Sequence, residues 1–327
     1  IRTSYVQSYF TALERRVSDS LTVELTGLGA LGRKLITTDV INREFTFRPA
    51  AQNLRGRLNP ALPDIYYRAG QGSSNYHALA TTARYRTRRA QAQAAYTWSH
   101  AIDNQSEPLA GDFFDLSFTA AAPAAGRSRA AFVRQFDSGI DRGNADFDQR
   151  HNLVVWSIWD VWRGWKIAQL AAFRSGFPYS VNAGKALLLD PTENNRANVL
   201  RADVTGSSPI PGGKKLLRRD AFGIPALGSA GDMGRNALAG PGMFNVDVSI
   251  SRTMALPWLR EGVRLTLRAD AFNVMNHANL NQPETFLGSS NFGNASYGRQ
   301  GAPSTFPLVA PFRETARQVQ LLIRLEF

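Results

Sequence analysis

Apolar and polar residues alternate one by one between Val263 and Ala271. The apolar positions begin with Val263, Leu265 and Leu267, and the polar positions between them include Arg264, Arg268 and Asp270. A period of two is typical of a β-strand with one apolar face and one polar face, and it fits a helix poorly. The segment therefore predicts an amphipathic strand.

Three other segments repeat this pattern. Between residues 244 and 251 the apolar positions are Phe244, Val246, Val248 and Ile250. In the last segment they are Val319, Leu321, Ile323, Leu325 and Phe327, and the polar residues there include Arg324 and Glu326. A shorter run of the same kind covers residues 21–26. We predict a strand in each of them.

Weaker candidates complete the set of strands. Stretches rich in aromatic and β-branched residues, or with partial alternation, cover residues 3–13, 75–87, 91–102, 152–159 and 165–174. Together with the four segments above they give roughly nine strands. A strand needs about 9 to 11 residues to cross a bilayer, and most of these candidates are long enough.

The connections between these strands alternate in length. The short ones cover residues 15–18, 88–90, 161–164 and 256–261, and the long ones cover 33–74, 103–150, 182–243 and 275–315. The long connections hold about 40 to 60 residues each, whereas a usual loop has roughly 4 to 6. Alternation of tight turns and long loops is typical of a transmembrane β-barrel, which has short periplasmic turns and long extracellular loops.

The expected fold is therefore all-β, a partial antiparallel transmembrane β-barrel in the outer membrane of a Gram-negative bacterium. Hydrocarbon offers no partner to backbone groups, so a sheet spans it only when the sheet closes. A charge on the lipid face costs about 2 to 4 kcal/mol at mid-membrane. The apolar face of each strand is therefore expected to meet lipid, and the charged face is expected to meet the lumen. Residues expected to face lipid are Val263, Leu265, Leu267, Phe244, Val246, Val248 and Ile250. Residues expected to face the lumen are Arg264, Arg268, Asp270, Arg324 and Glu326.

Composition excludes several other classes of protein. The chain has 327 residues, of which 43% are hydrophobic, and this fraction is too high for a disordered polymer. It contains no cysteine, which excludes a disulfide scaffold, a thiolate metal site and a cysteine nucleophile. The formal net charge is +12, but the basic residues are scattered, and the densest runs are 85–89 and 214–219. Such short runs favour a solvated surface over a nucleic-acid-binding patch.

Candidate chemistry is sparse along the chain. The four histidines fall in four separate regions, and none has a second ligand at metal-binding spacing. Asp137, Asp141, Asp146 and Asp148 share one long connection, but they lack the order of a calcium loop, so turn and capping roles are favoured and calcium stays the alternative. No Walker motif and no G-x-S-x-G elbow is present. We expect no enzyme activity, no cofactor and no metal.

Five motifs together resemble one known family. Residues 96–104 (YTWSHAIDN) are similar to the YTWSKSIDN strand of Oar-like TonB-dependent outer-membrane receptors, and residues 146–152 (DFDQRHN) to their DFDRRHN segment. The stretches 164–179 and 234–242 (GRNALAGPG) also resemble that family. Residues 268–277 (RADAFNVMNH) look like its RAEAFNLFNH penultimate strand. The order of the motifs matches from about residue 73 to the end.

The resemblance implies a receptor that imports a ligand with energy relayed through TonB. Such a receptor has a barrel of roughly twenty-two strands around a plug domain. Residues 1–327 would then be the C-terminal part of that barrel, and the plug and the first strands would be absent from this chain. The loops at 182–243 and 275–315 would catch an unknown extracellular ligand. The TonB complex would act only through the missing plug, and Val319 to Phe327 resembles the signal that the barrel-assembly machinery recognises.

Two other interpretations stay open at this point. A smaller, self-closed barrel could display its loops as an adhesion or binding module, although bacterial barrels of one chain have even strand numbers. A soluble basic β-protein that binds nucleic acid would need its apolar strand faces packed together in a sandwich.

Overall fold

The computed structural model describes residues 2–42, 45–47, 54–63, 65–106, 132–183, 195–226, 229–259, 261–298 and 316–327. These residues form an all-β protein in which the only helical elements are the 3₁₀ turns Gly139–Asp141 and Arg219–Ala221. Within these ranges no helix has both the length and the apolar character needed to cross a membrane.

Nine long strands follow one another along the chain. They are β1 (Tyr5–Arg16), β2 (Leu21–Ile41), β3 (Ile65–Arg86), β4 (Ala90–Asp103), β5 (His151–Trp162), β6 (Trp165–Arg174), β7 (Met243–Ala255), β8 (Arg264–Phe272) and β9 (Gln318–Glu326). Each pairs antiparallel with the next, so they form a meander with β1 and β9 at its edges. The predicted all-β antiparallel architecture of roughly nine strands is confirmed.

Tight turns join the strands at one rim of the sheet. The turn between β5 and β6 has two residues, Arg163 and Gly164, with φ of 43° and 79°. Two consecutive positive φ angles match the right-handed twist of a hairpin. A Cβ on Gly164 would lie 2.5 Å from the carbonyl oxygen of Thr253, so only glycine fits this turn.

The predicted connection 33–74 is wrong in its bounds. Strand β2 runs on to Ile41 and β3 begins at Ile65. The register shifts between Arg33 and Leu35 and again between Leu35 and Thr37. Each irregularity breaks the period of two in the side chains while the backbone ladder continues, so the alternation ends well before the strand does.

The long connections contain short paired elements. Pairs form between Phe45–Phe47 and Leu54–Gly56, Gly143–Asn144 and β4, Pro178–Tyr179 and Leu238–Ala239, and Asn198–Val199 and Phe222–Gly223; a further small sheet contains Thr205–Ile210, Gly213–Leu217 and Asn294–Ser296. These elements lie at the rim opposite the tight turns. We call residues 132–150, 175–183, 195–226, 229–242 and 273–298 the loop assembly.

The apolar side chains of the large sheet are not covered by protein. In the described residues the long strands pack mainly against their hydrogen-bonded neighbours, and no second sheet packs against them. Leu321 and Ile323 on β9 are 80% and 76% exposed. A soluble β-sandwich buries its apolar strand faces between two sheets. The architecture of the described residues is therefore not that of the soluble sandwich considered from the sequence.

Candidate functional site

Directly paired residues of an antiparallel sheet point to the same face, so the register assigns every side chain to a face. Val248 pairs with Ala271 and Ile250 with Ala269. The same face carries six of the seven residues expected to contact lipid, namely Phe244, Val246, Val248, Ile250, Leu265 and Leu267. We call it the apolar face. Contact with lipid itself stays a prediction.

Val263 differs from the other six. It precedes β8, in the turn where the amide of Leu256 donates a hydrogen bond to its carbonyl at 2.9 Å. Its side chain is only 2% exposed. The strand was expected to begin at this residue, but the turn covers it, and Val263 is not available to lipid in the described structure.

The expected lumen residues lie together on the opposite face, here called the polar face. Arg264 pairs in register with Glu326, and Thr266 pairs with Arg324. Arg268 Nε donates to Asp270 at 2.8 Å, and Arg324 contacts Glu326 at 2.8 Å. These pairs are exposed and stabilise the wall weakly. Their position next to a lumen stays a prediction.

The C-terminal strand completes the apolar face at one edge. Leu325, Ile323, Leu321 and Val319 pair with the apolar-face residues of β8. Phe327 follows the end of β9 and is 90% exposed. The strand and its terminal ring are thus open on one side, and recognition of them by the assembly machinery stays a prediction.

Aromatic rings form two belts on the apolar face. Beside the tight turns, Tyr85 lies 6.5 Å from Trp159 between ring centroids. Toward the loop assembly, Tyr96 stacks on His151 at 6.2 Å and Phe173 lies 4.9 Å from Phe244. Trp159 and His151 are eight residues apart on β5, roughly 26 Å along the strand at about 3.3 Å per residue. Barrels show an apolar band of about 25 Å between two aromatic girdles.

The loop assembly has a hydrophobic core of its own. Its members are Tyr179, Val181, Ala183, Ala197, Leu217, Ala221, Phe222, Met233, Leu287 and Phe292. Phe222 and Phe292 meet edge to face with 5.8 Å between ring centroids. Burial raises the pKa of Tyr179 to about 12. Because this core draws residues from two connections, β6 to β7 and β8 to β9, these two loops pack as one unit on the rim of the sheet.

A polar network around Arg235 ties the loop assembly to the strands. The guanidinium donates to Asp103 at 2.5 Å, to Asp146 at 2.9 Å and to Ser106 at 2.8 Å. Asn236 donates to Asp146 at 2.6 Å. Burial alone would lower the pKa of Arg235, but the negative charges of Asp146 and Asp103 outweigh it and the pKa is raised. The cation is therefore held by two carboxylates from other segments.

A second ion pair lies deeper in the loop assembly. Arg196 forms a salt bridge with Asp141, and the side chains are 3% and 0% exposed. Arg196 Nε also donates to the carbonyl of Met233 at 2.8 Å. A buried pair adds little net stability, but loss of one partner leaves an uncompensated charge. This pair fixes the 132–150 segment to the 195–226 segment.

The acidic residues considered for calcium are engaged by protein groups. Asp141 binds Arg196, Asp146 binds Arg235, and Asp148 accepts from Arg150 Nε at 2.8 Å and from the amide of Ala101 at 2.7 Å. In the described ranges no three His, Asp or Glu side chains come together in a metal-binding arrangement. The sequence favoured turn and capping roles for the group, whereas Asp141 and Asp146 form ion pairs with arginines of other segments.

The small three-stranded sheet borders two open clefts. One has a volume of about 780 Å³, and it is lined by the buried side chains of Leu217 and Phe222 and by the polar residues Ser207, Ser208 and Lys215. The other has about 510 Å³ and lies between residues 210–212 and 282–285. Both clefts have the size of a ligand site. They belong to the two segments expected to catch ligand.

Sequence reasoning missed the two ion pairs and the core of the loop assembly. Their residues are far apart in the chain and show no period, so spacing alone carries no signal for them. One signal was present: the motifs at 96–104, 146–152 and 234–242 each supply a partner to the Arg235 network.

The comparison with known families agrees with this architecture. A family model described as an outer membrane beta barrel domain matches residues 1–320. No curated protein matches the chain. Among solved structures, the chain is similar to the outer membrane transporter YddB from Escherichia coli, with 12% sequence identity and a TM-score of 0.49. That similarity covers 98% of this chain and 32% of the transporter, so the chain spans about a third of its length.

The family match concerns nearly the whole chain, and it includes the first eight long strands and the first three residues of β9. It confirms two expectations drawn from the alternating strands, a transmembrane β-barrel fold and a location in the Gram-negative outer membrane. The chain belongs to the outer membrane beta barrel domain family.

Proposed function

We propose that the chain is the C-terminal part of the barrel of an Oar-like TonB-dependent receptor, which imports a ligand caught by its long loops. The Arg235 network supports this proposal best. It joins Asp103, Asp146 and Asn236, which come from three separate motifs that resemble the receptor family. Motifs that meet at one place in the fold are stronger support than the same motifs in isolation.

The direction of the edge strands favours a larger barrel. Strands β1 and β9 both run from the loop side toward the tight-turn side, because they are the first and ninth strands of an antiparallel meander. Closure by direct pairing of these two strands would be parallel, whereas bacterial barrels are antiparallel throughout. Further strands from the same receptor would solve this, which makes a self-closed adhesion barrel the weaker candidate.

An apolar patch on the polar face supports a plug. Trp156 pairs with Leu170, and Ile158 lies two residues from Trp156 on the same face. Ile158 and Leu170 are 43% and 45% exposed. A water-filled lumen needs polar side chains. We propose that these side chains pack against a plug domain, through which the TonB complex would act.

The remaining partners follow from this role. Outer-membrane lipid would cover the apolar face, and the assembly machinery would bind the C-terminal strand that ends in Phe327. The extracellular ligand would bind at the clefts of the loop assembly. The barrel strands would perform no catalytic step and would need no cofactor, so we propose that the chain is not an enzyme.

Cysteine labelling on intact cells tests the plugged receptor, since the chain has no cysteine of its own. Ser208→Cys in the loop assembly should react with a bulky, membrane-impermeant maleimide. In the complete receptor, Leu170→Cys should stay unlabelled because the plug covers it. Asp19→Cys, in the turn between β1 and β2, should react only after the outer membrane is permeabilised.

Each of the three cysteine variants serves as a control for the labelling of the other two. Labelling is followed by gel shift, and heat-dependent migration shows that each variant is folded. Equal labelling of Leu170→Cys and Ser208→Cys on intact cells would mean an open lumen and would contradict the receptor proposal. Labelling of Asp19→Cys without permeabilisation would reverse the assigned sidedness.

A further inference from the structure

We propose that Arg163 and Arg252 bind the phosphate group of an anionic phospholipid at the tight-turn rim of the barrel. The inference rests on the proposed orientation, in which the apolar face meets lipid. We call Trp162, Arg163, Trp165 and Arg252 the rim phosphate site.

Arg252 is the cation that needs an explanation. It pairs in register with Trp165 on β6 and with Leu267 on β8, so it lies on the apolar face. All acidic residues of strands β5 to β9 lie on the other face; they are Asp160, Asp247, Asp270 and Glu326. The described residues give Arg252 no ion pair, and its Nε is covered without a hydrogen-bond acceptor. An uncompensated cation on an apolar face calls for an anion from outside the chain.

Two cations stack on adjacent rings at this place. The guanidinium of Arg252 lies 5.4 Å from the ring centroid of Trp165, and that of Arg163 lies 4.5 Å from Trp162. Trp162 pairs with Trp165 across the hairpin. The amide of Thr253 donates to the carbonyl of Gly164 at 3.1 Å, which fixes the turn beside Arg252. Both guanidinium groups are therefore held at one end of strands β5 to β7.

The stacking leaves the chemistry of phosphate binding free. A ring contacts one face of a guanidinium, while the N–H donors lie in its plane. Because Nε of Arg252 is covered, the two terminal nitrogens of that group would bind the phosphate. That fork matches the oxygens of a phosphate better than an ammonium does. Two such groups at one end of the same strands are complementary to a phosphate that carries a negative charge. A neutral or zwitterionic lipid lacks this net charge.

The depth of the site fits a lipid headgroup. Trp162 and Trp165 flank the two-residue turn, and they are 63% and 38% exposed. Tryptophan at such positions marks the interface between hydrocarbon and water, where phosphate groups lie. The acyl chains of the same lipid would contact Ile250, Leu267 and Ile323 on the apolar face.

Quenching of tryptophan fluorescence tests the site. The protein is extracted from the outer membrane in neutral detergent and reconstituted with brominated phosphatidylglycerol or brominated phosphatidylcholine. We expect the wild type to prefer phosphatidylglycerol, with each cation contributing about fivefold. In Arg163→Gln and in Arg252→Gln the preference for phosphatidylglycerol should each time be about fivefold smaller than in the wild type. The double variant should show no preference. Arg252→Lys should keep most of it because the charge is retained.

Arg268→Gln is the matched control. Arg268 pairs with Ser251, next to Arg252, at the same depth but on the polar face, so its loss should leave the preference unchanged. An unchanged preference in the double variant, or equal quenching of the wild type by both lipids, would overturn the rim phosphate site while the receptor proposal stands. Quenching by neither lipid would contradict the orientation itself, and with it both proposals.

Discussion

Arg196→Met should release the loop assembly while the nine-strand sheet stays folded. Arg196 and Asp141 are 3% and 0% exposed, so removal of the cation leaves the buried carboxylate without its salt-bridge partner. Breaking a pair of this kind costs about 3 to 5 kcal/mol. The loss falls on contacts between the 132–150 and 195–226 segments and not on the hydrogen bonds that pair the nine long strands. Limited proteolysis of intact cells should show rapid cleavage within residues 195–226, with normal amounts of protein in the outer membrane.

Arg201→Met provides the comparison in the same segment. Arg201 contacts Asp220 at 2.7 Å, but the two side chains are 49% and 65% exposed. An exposed pair contributes about 0 to 1 kcal/mol, so the cleavage rate should stay near that of the wild type. Equal cleavage of the two variants would show that the buried pair does not hold the loop assembly together.

Val248→Arg has the second largest expected effect. Val248 lies in the middle of β7 on the apolar face, with a paired strand on each side. If this face meets hydrocarbon, an arginine there costs about 2 to 4 kcal/mol near the centre of the bilayer. We expect a severalfold lower amount of folded protein in the outer membrane, measured by fractionation and heat-dependent gel migration.

Ser249→Arg is the control for this substitution. Ser249 is the next residue, points to the polar face and pairs with Asp270, so the new cation gains a carboxylate neighbour. Its yield should stay close to that of the wild type. Similar losses for both substitutions would indicate that the two faces of β7 do not differ in environment.

The strands of the large sheet could be predicted because their sequences alternate between apolar residues for one face and polar residues for the other. Strand β6 has the bounds that the sequence gives, Trp165 to Arg174, and β8 differs by one residue at each end. The parts of β2 and β3 next to the long loops could not be predicted. There the register shifts near Leu35 remove the period of two.

The loop assembly could be predicted only as a set of long connections. Asp141 and Arg196 lie 55 positions apart, and nothing in their spacing indicates that they meet. Long loops of this kind are held by tertiary contacts and not by local propensity. The motifs around Asp103, Asp146 and Arg235 indicated that these segments matter, but only the fold shows that they form one network.

Spin labels on single cysteines at positions 265 to 270 test the central assignment of the two faces most directly. Oxygen, which concentrates in hydrocarbon, and a water-soluble nickel complex report the surroundings of each label in native membranes. We expect oxygen accessibility to peak at 265, 267 and 269, out of phase with the nickel complex. Oxygen peaks at 266, 268 and 270, or equal access of both reagents to both sets, would contradict a wall with lipid on its apolar face.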